Sequence, residues 1–221
     1  MEFTSLFLLV TCLGVWLDSQ LTFTPHVQLL ARCCIYYMWQ IQMLRRSLNT
    51  DSSNALVHAL IASRLDYCNS VLYRINTSTT KTLQSILYSA TRLIMLKRKF
   101  DSIIPTLGDD LYWLPVSQRI VYKLCIIIYR CLHQTVPKYL QELCVPVTTN
   151  ASFSHLRSAA RGDLQVLATR TVTFGPCSFA ASAPKLWNSL LPALRDSTLT
   201  LTQFGSRLKT HLFCLAYVCA S

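Results

Sequence analysis

Glycine is scarce in this sequence: only 5 of the 221 residues are Gly, while 52% are hydrophobic. Disordered chains are poor in apolar residues, so this composition favours a globular protein with a real core. No run reaches the roughly 18 apolar residues that a membrane-spanning helix needs. The most apolar segment, residues 120–132, is interrupted by Lys123 and Arg130. We therefore expect no membrane span.

Recognisable catalytic and metal-binding motifs are also missing. The sequence has no Gly-rich phosphate loop, no evident Ser/His/Asp triad and no Cys-x-x-Cys. His211 and Cys214 are spaced for one helical face, but no second pair completes four ligands. Gly108-Asp109-Asp110 resembles a polymerase metal pair, which requires a strand–turn–strand hairpin and a third carboxylate. This pair lies between helical patterns, so we predict no catalytic residue, metal, cofactor or small-molecule substrate.

Acidic residues are few, with 10 Asp or Glu against 21 Lys or Arg and a net charge of +11. The excess of positive charge is spread along the chain rather than gathered in a tail. A basic surface of this size attracts polyanions, of which nucleic acid is the commonest. A basic surface with no partner is the alternative that charge alone leaves open.

The ten cysteines lack the spacing of a metal site, and Cys33 and Cys34 are adjacent. Cys125 and Cys131 lie inside an apolar run, which favours buried free thiols and an intracellular protein of the cytoplasm or nucleus. Residues 7–14 resemble the apolar region and cleavage site of a signal peptide. Glu2, however, is negatively charged where a signal peptide carries positive charge. A secreted protein with disulfides therefore stays open.

Apolar residues at intervals of three or four predict a mainly α fold. The hairpin pattern at residues 6–23 predicts a short N-terminal β-hairpin, and two β-type runs predict a small two-stranded element near residues 164–174. Polar and proline signals suggest the helix starts. The predicted helices and their candidate caps are 24–48 (Thr24, then Pro25), 54–64 (Asp51, Ser52 or Ser53), 77–96 (Thr77 or Ser78), 116–132 (Pro115 or Ser117), 137–144 (Pro137), 179–191 and a last helix to 213 (Thr200 or Thr202).

The segment Ser63–Tyr73 is dense in polar groups between two apolar helices. It predicts a buried polar corner in which Arg64 pairs with Asp66, while Tyr67 and Asn69 hold hydrogen bonds against the core. A catalytic role for this corner is the alternative. Further along the chain, Trp113 and Pro115 are predicted to fix the entry to helix 116–132, and Trp187 to anchor helix 179–191.

The Ser63–Ser70 block resembles one found downstream of the polymerase core in LINE-type (non-LTR) retrotransposon reverse transcriptases of the jockey-like kind. Later blocks resemble the same family in the same order, at residues 111–116 with 118–120, 137–140, 183–190 and 204–213. The resemblance extends over residues 13–213 and implies a helical thumb-like bundle. It implies a palm-edge hairpin remnant or signal-like segment (1–23), a thumb-like domain (24–146), a connector (147–163), a small C-terminal α/β subdomain (164–213) and a tail (214–221).

A thumb holds template and product by their backbones, so the resemblance implies phosphate contacts at clustered cations. The candidates are Arg45, Arg46, Lys97, Arg98, Lys99, Arg157, Arg161 and Arg170. Cations in a last helical turn also complement the helix dipole, which is the structural alternative.

The family's palm carboxylates would precede Leu13, where the sequence has no match. We therefore expect a catalytically inactive fragment of an RNA-directed DNA polymerase that at most binds RNA or DNA backbone weakly and non-specifically. Two alternatives are the secreted cysteine-rich protein and a non-functional translation product. The latter is considered because a hairpin without its sheet exposes apolar surface.

Overall fold

The computed structural model describes residues 10–149, 161–167 and 178–218. Within these ranges the protein is mainly α-helical, with a two-stranded antiparallel sheet near its N-terminus, which confirms the predicted fold class. The strands are β1 (Val10–Cys12) and β2 (Val15–Leu17). The helices are α1 (Thr24–Leu44), α2 (Thr50–Val57), α3 (Ser63–Asp66), α4 (Thr77–Met95), α5 (Val116–Leu132), α6 (Lys138–Gln141), α7 (Phe179–Asn188) and α8 (Leu201–Phe213).

The chain divides into two compact units, Met1–Arg119 and Ile120–Ser221, with the boundary within α5. The predicted connector at 147–163 stays a prediction, because residues 150–160 lie outside the described ranges. None of the helices in those ranges is both long and apolar enough to cross a bilayer.

The N-terminal hairpin is held against the helices of the first unit. Gly14 occupies the turn with a φ of 79°, a conformation that L-residues with side chains adopt at a cost. Val15 of β2 is buried, and the hydroxyl of Tyr67 donates to the carbonyl of Leu13 at 2.7 Å. Strand β1, by contrast, is exposed along its length. Strand β2 therefore packs against helices of the first unit, where the resemblance implies a palm sheet.

Helix α1 begins at Thr24 with Pro25 in its first turn, as predicted. Thr24 is not the capping residue, because Phe23 precedes it in the left-handed conformation. The carboxylate of Asp18 instead accepts hydrogen bonds from the backbone N–H groups of Thr22 and Phe23 at 3.1 and 3.0 Å. These bonds fix the turn that precedes the helix, and the Thr24 N–H donates to the Thr22 hydroxyl at 3.3 Å.

Helices α2 and α3 form one continuous helical run, joined by a π-helical turn at His58–Ala62. The run begins earlier than predicted, and its N-cap is Asn49, whose side chain accepts from the Ser52 N–H at 2.7 Å. Asn76 similarly caps α4 by accepting from the Ser78 N–H at 3.1 Å, in place of the predicted Thr77 or Ser78. Helix α4 ends at Met95, followed by Leu96 with a φ of 52°.

In the second unit, the core forms around helices α5, α7 and α8. Phe204 of α8 is fully buried, and its ring stacks on that of Tyr129 with centroids 4.6 Å apart. Trp187 is buried on α7 and donates through Nε1 to the carbonyl of Gly162 at 3.1 Å, which supports its predicted anchoring role. Thr200 forms a capping box with Gln203, so the predicted alternative Thr202 is not the cap.

The predicted two-stranded element near 164–174 falls mostly outside the described residues. Leu164 forms an isolated antiparallel bridge with Pro146, and residues 165–167 that follow it are not in a strand. The predicted helix after Pro137 is short, covering Lys138–Gln141 only. The tail begins as a π-helical turn at Cys214–Val218, which continues α8 beyond the resemblance.

Candidate nucleic-acid interface

The polar segment Ser63–Tyr73 contains an ion pair that differs from the predicted one. Asp66 accepts from Nη1 of Arg119 at 2.9 Å, and Nε of Arg119 donates to the carbonyl of Leu114 at 2.8 Å. The guanidinium of Arg119 also lies 5.4 Å from the centre of the Trp113 ring. The Ser63–Ser70 block is thus connected to the block at 111–120, although the sequence predicted that Asp66 would pair with Arg64.

The corner is less buried than predicted. Arg64 is exposed, donates to the Tyr37 hydroxyl at 3.1 Å and lies over the Tyr37 ring at 4.6 Å. Tyr67 is 54% exposed, whereas Asn69 is 3% exposed and donates to Asp66 at 3.4 Å. The helical run ends at Asp66, so residues on its outer side face solvent while Asn69 turns back to the core. The observed contacts give these residues structural roles.

Arg45, a predicted phosphate contact, is 7% exposed and acts inside the fold. Its Nε and Nη2 donate to the carbonyls of Leu93 and Ile94 at 3.0 and 2.6 Å, and Nη1 to that of Leu48 at 2.7 Å. The last carbonyls of a helix have no intrahelical partner, so Arg45 satisfies those at the end of α4. This burial does not fit a phosphate contact, and the predicted role is corrected to helix capping.

A groove with a volume of about 770 Å³ runs beside Arg45 between the C-terminal parts of α1 and α4. Each helix contributes positions spaced i, i+3, i+4 and i+7, which lie on one helical face. From α1 and the residues after it come Trp39, Gln42, Met43 and Arg46, and from α4 and its end come Ser89, Arg92, Leu93 and Leu96, with Arg45 and Lys97 completing the lining.

The groove is electropositive because of its sequence surroundings. Residues 24–47 and 77–99 contain no Asp or Glu, and their cations are Arg32, Arg45, Arg46, Lys81, Arg92, Lys97, Arg98 and Lys99. Arg46, Arg98 and Lys99 are exposed, whereas Arg92 and Lys97 are half-buried. Nε of Arg92 is buried, and no residue in the described ranges accepts a hydrogen bond from it. Lys97 is hydrogen-bonded to the Thr106 hydroxyl.

Of the three remaining basic candidates, the structure describes Arg161 alone. Arg161 is exposed in a turn at residues 161–162, and Arg157 and Arg170 lie outside the described residues. From the predicted set, the structure therefore brings Arg45, Arg46 and Lys97 to one groove, and Arg98 and Lys99 follow Lys97 directly in the sequence.

Trp39 and Arg92 were missed by the sequence analysis. Trp39 is 55% exposed and lies off the buried stripe of α1, which contains Val27, Cys34 and Ile41. Its position off that stripe, seven residues before Arg46, was the available signal. Arg92 was hidden because it lies between the buried positions Thr91 and Ile94 on α4, where a cation is not expected.

A second groove, of about 530 Å³, lies between the hairpin turn and helices α1 and α3, lined by Gly14, His26, Leu29, Leu30, Cys33, Ala59, Ser63, Arg64 and Tyr67. The Trp16 N–H donates to Nδ1 of His26 at 3.5 Å. Burial lowers the pKa of His26, because a charged imidazolium is poorly solvated there. These contacts give His26 a part in docking the hairpin.

The paired carboxylates Asp109 and Asp110 are exposed in a π-helical turn at Thr106–Asp110. Across the described ranges, no three His, Cys, Asp or Glu side chains come together as metal ligands. No family model, curated protein or solved structure matches the chain. The resemblance to LINE-type reverse transcriptases stays a prediction.

Proposed function

We propose that this chain binds RNA or DNA weakly and without sequence preference through the basic groove between α1 and α4. The observation that carries the proposal is the groove itself, in which three cations line a concave surface whose helices contain no acidic residue. These cations are Arg46, Arg92 and Lys97, since Arg45 is occupied with the carbonyls of α4.

A polyanion gains free energy at such a surface mainly by releasing the counterions that its phosphates hold. The exposed residues Arg98 and Lys99 extend the positive surface past the end of α4. Asp101 reduces the local charge in part, because its carboxylate accepts from the Arg98 N–H at 2.7 Å. Its single negative charge is outweighed by the basic cluster. We therefore expect nucleic-acid binding that weakens as the salt concentration rises.

As part of the same proposal, the chain is a catalytically inactive segment related to the region after the palm of a LINE-type reverse transcriptase. The sequence blocks support this relation, and the link between Asp66 and Arg119 shows that two of them meet in the fold. The described cysteines are free thiols, as in proteins of reducing compartments, which supports placing the chain inside the cell.

A mobility-shift titration with mixed-sequence RNA and DNA, at low and at moderate salt, tests the binding. We expect affinity at low salt and a fall in log K of about 0.7 to 0.9 per log unit of salt for each phosphate neutralised. Absence of binding at low salt, or an affinity that does not change with salt concentration, would contradict the proposal.

A charge-matched pair of variants separates the basic surface in and beside the groove from net charge. The test variant replaces Arg46, Arg98 and Lys99 with Gln, and the control replaces Lys138, Lys185 and Lys209, which are exposed in the second unit. Both lose three positive charges. We expect the test variant to bind about tenfold more weakly and the control to stay close to the unmodified protein. Equal losses in both would show that only overall charge matters.

A further inference from the structure

The α1–α4 groove also contains a large aromatic surface that phosphate binding does not require. Trp39 is 55% exposed and lies among the groove's cations, and Met43 and Leu96 beside it are 67% and 69% exposed. Phosphate groups gain nothing from an apolar wall, so this part of the lining fits a different part of a nucleic acid.

The shape of the groove distinguishes between nucleic-acid forms. Proteins that read duplex DNA insert a convex element, such as a helix, into the major groove. Here the cations lie in a concave surface between two helices, the opposite shape from such an inserted element. A positively charged groove that follows one backbone, combined with aromatic side chains on which bases stack, is typical of single-strand binding.

We propose that the α1–α4 groove binds single-stranded RNA or DNA, with a base stacked on Trp39 and neighbouring phosphates on Arg46 and Arg92. This inference rests on the proposed function and adds the form of the ligand. The spacing supports it, because Trp39 and Arg46 lie two helical turns apart on the same face of the α1 region.

Arg92 contributes a cation from the opposite helix. It is half-buried and lines the groove on α4, across from Arg46. Phosphate oxygens are strong acceptors for a guanidinium group, so a backbone in the groove lies between cations from both helices.

The test is a fluorescence-anisotropy titration of the full chain with a labelled 12-nucleotide single strand of uridine or thymidine and with a mixed-sequence duplex of equal length. The variants are Trp39→Leu, which removes the ring, and Trp39→Phe, which keeps an aromatic ring. The control is Tyr139→Ala, which removes another exposed aromatic ring outside the groove.

We expect the unmodified protein to prefer the single strand. Trp39→Leu should weaken single-strand binding about tenfold, the size typical of one lost stacking contact, and should leave duplex binding unchanged. Trp39→Phe should retain most of the affinity, and Tyr139→Ala should retain all of it. Arg46→Gln and Arg92→Gln should each lower the salt dependence of single-strand binding by about 0.7.

The outcomes separate this inference from the proposed function. Equal affinity for single strand and duplex, or no effect of Trp39→Leu, overturns the single-strand inference while nucleic-acid binding stands. Absence of salt-dependent binding to either form overturns both. Because Trp39 is largely exposed, its substitution leaves the core intact, and circular dichroism of each variant verifies this.

Discussion

Arg45 and Arg46 are adjacent in the sequence but differ in their surroundings, and they show what a single residue contributes here. Arg45 is buried and caps α4, whereas Arg46 is exposed in the groove. We expect Arg45→Met to lower the free energy of unfolding by about 2 to 4 kcal/mol, because it leaves carbonyls at the end of α4 without donors. Urea unfolding followed by circular dichroism measures this change.

Arg46→Met is the matched control, since it removes the same group one residue away. We expect stability close to that of the unmodified protein, together with weaker nucleic-acid binding. The assignment of roles would be wrong if both variants lost the same stability, or if Arg45→Met remained folded and bound nucleic acid more weakly than Arg46→Met.

His26 gives a second prediction at the scale of one residue. Its pKa is lowered from the ordinary value of 6.5 by burial, so between that value and its folded pKa the unfolded chain binds more protons than the folded one. Stability should therefore fall as pH decreases from 7 through this window. His26→Asn should reduce this dependence, because Asn has an acceptor but does not titrate.

Equilibrium unfolding between pH 7 and pH 5.5 tests this effect above the range in which Asp and Glu ordinarily titrate. The control is His58→Asn, because His58 is exposed on the π-helical turn after α2. It should keep the slope of the unmodified protein. An unchanged slope in His26→Asn would exclude His26 as the source.

At the scale of an element, the start of α2 tests which residue caps the helix. Five successive residues, Asn49 to Ser53, are all polar and could each accept from the helix N-terminus. The structure selects Asn49, while the Ser53 hydroxyl donates back to the Asn49 carbonyl at 2.8 Å. Asn49→Ala should lower stability by about 1 kcal/mol.

Ser52→Ala is the control, because the structure uses only the backbone N–H of Ser52 in the cap. It should change stability by less than about 0.5 kcal/mol. Thermal unfolding of the two variants side by side compares them. A larger loss from Ser52→Ala would place the start of the helix where the sequence predicted it.

These elements show how far sequence reasoning reaches. Helix α5 was predicted with its observed bounds, because a long apolar stripe and a preceding Pro determine it locally. The caps of α2 and α4 were missed because several polar neighbours satisfy the same local rule, whereas α1 follows the left-handed Phe23 without a side-chain cap. Asp66 forms its ion pair with Arg119, 53 residues away in the sequence, and not with its neighbour Arg64. No local sequence pattern predicts a partner at such a distance. For the groove, the sequence predicted the cations, because they are clustered along the chain. It did not predict Trp39, because the exposure of that side chain depends on how the helices pack.

At the scale of the whole molecule, the state of the ten cysteines separates an intracellular protein from a secreted one. Burial raises the pKa of Cys34 to about 11 and that of Cys125 to about 12, while Cys12 and Cys214 are exposed. A thiol reacts as its thiolate, so buried thiols with raised pKa values react slowly. Alkylation of the native protein at pH 8 should modify Cys12 and Cys214 first and leave Cys34 and Cys125 protected.

Peptide mapping by mass spectrometry after alkylation identifies each modified site. In denaturant without reductant, all ten cysteines should react if the chain is kept in a reducing compartment. A secreted, disulfide-linked protein would instead leave pairs unreactive until a reductant is added. A chain that does not fold alone would show no protection of Cys34 and Cys125 in the native sample. The contrast between native and denatured labelling therefore tests both alternatives, because protection requires a core and full reactivity requires free thiols.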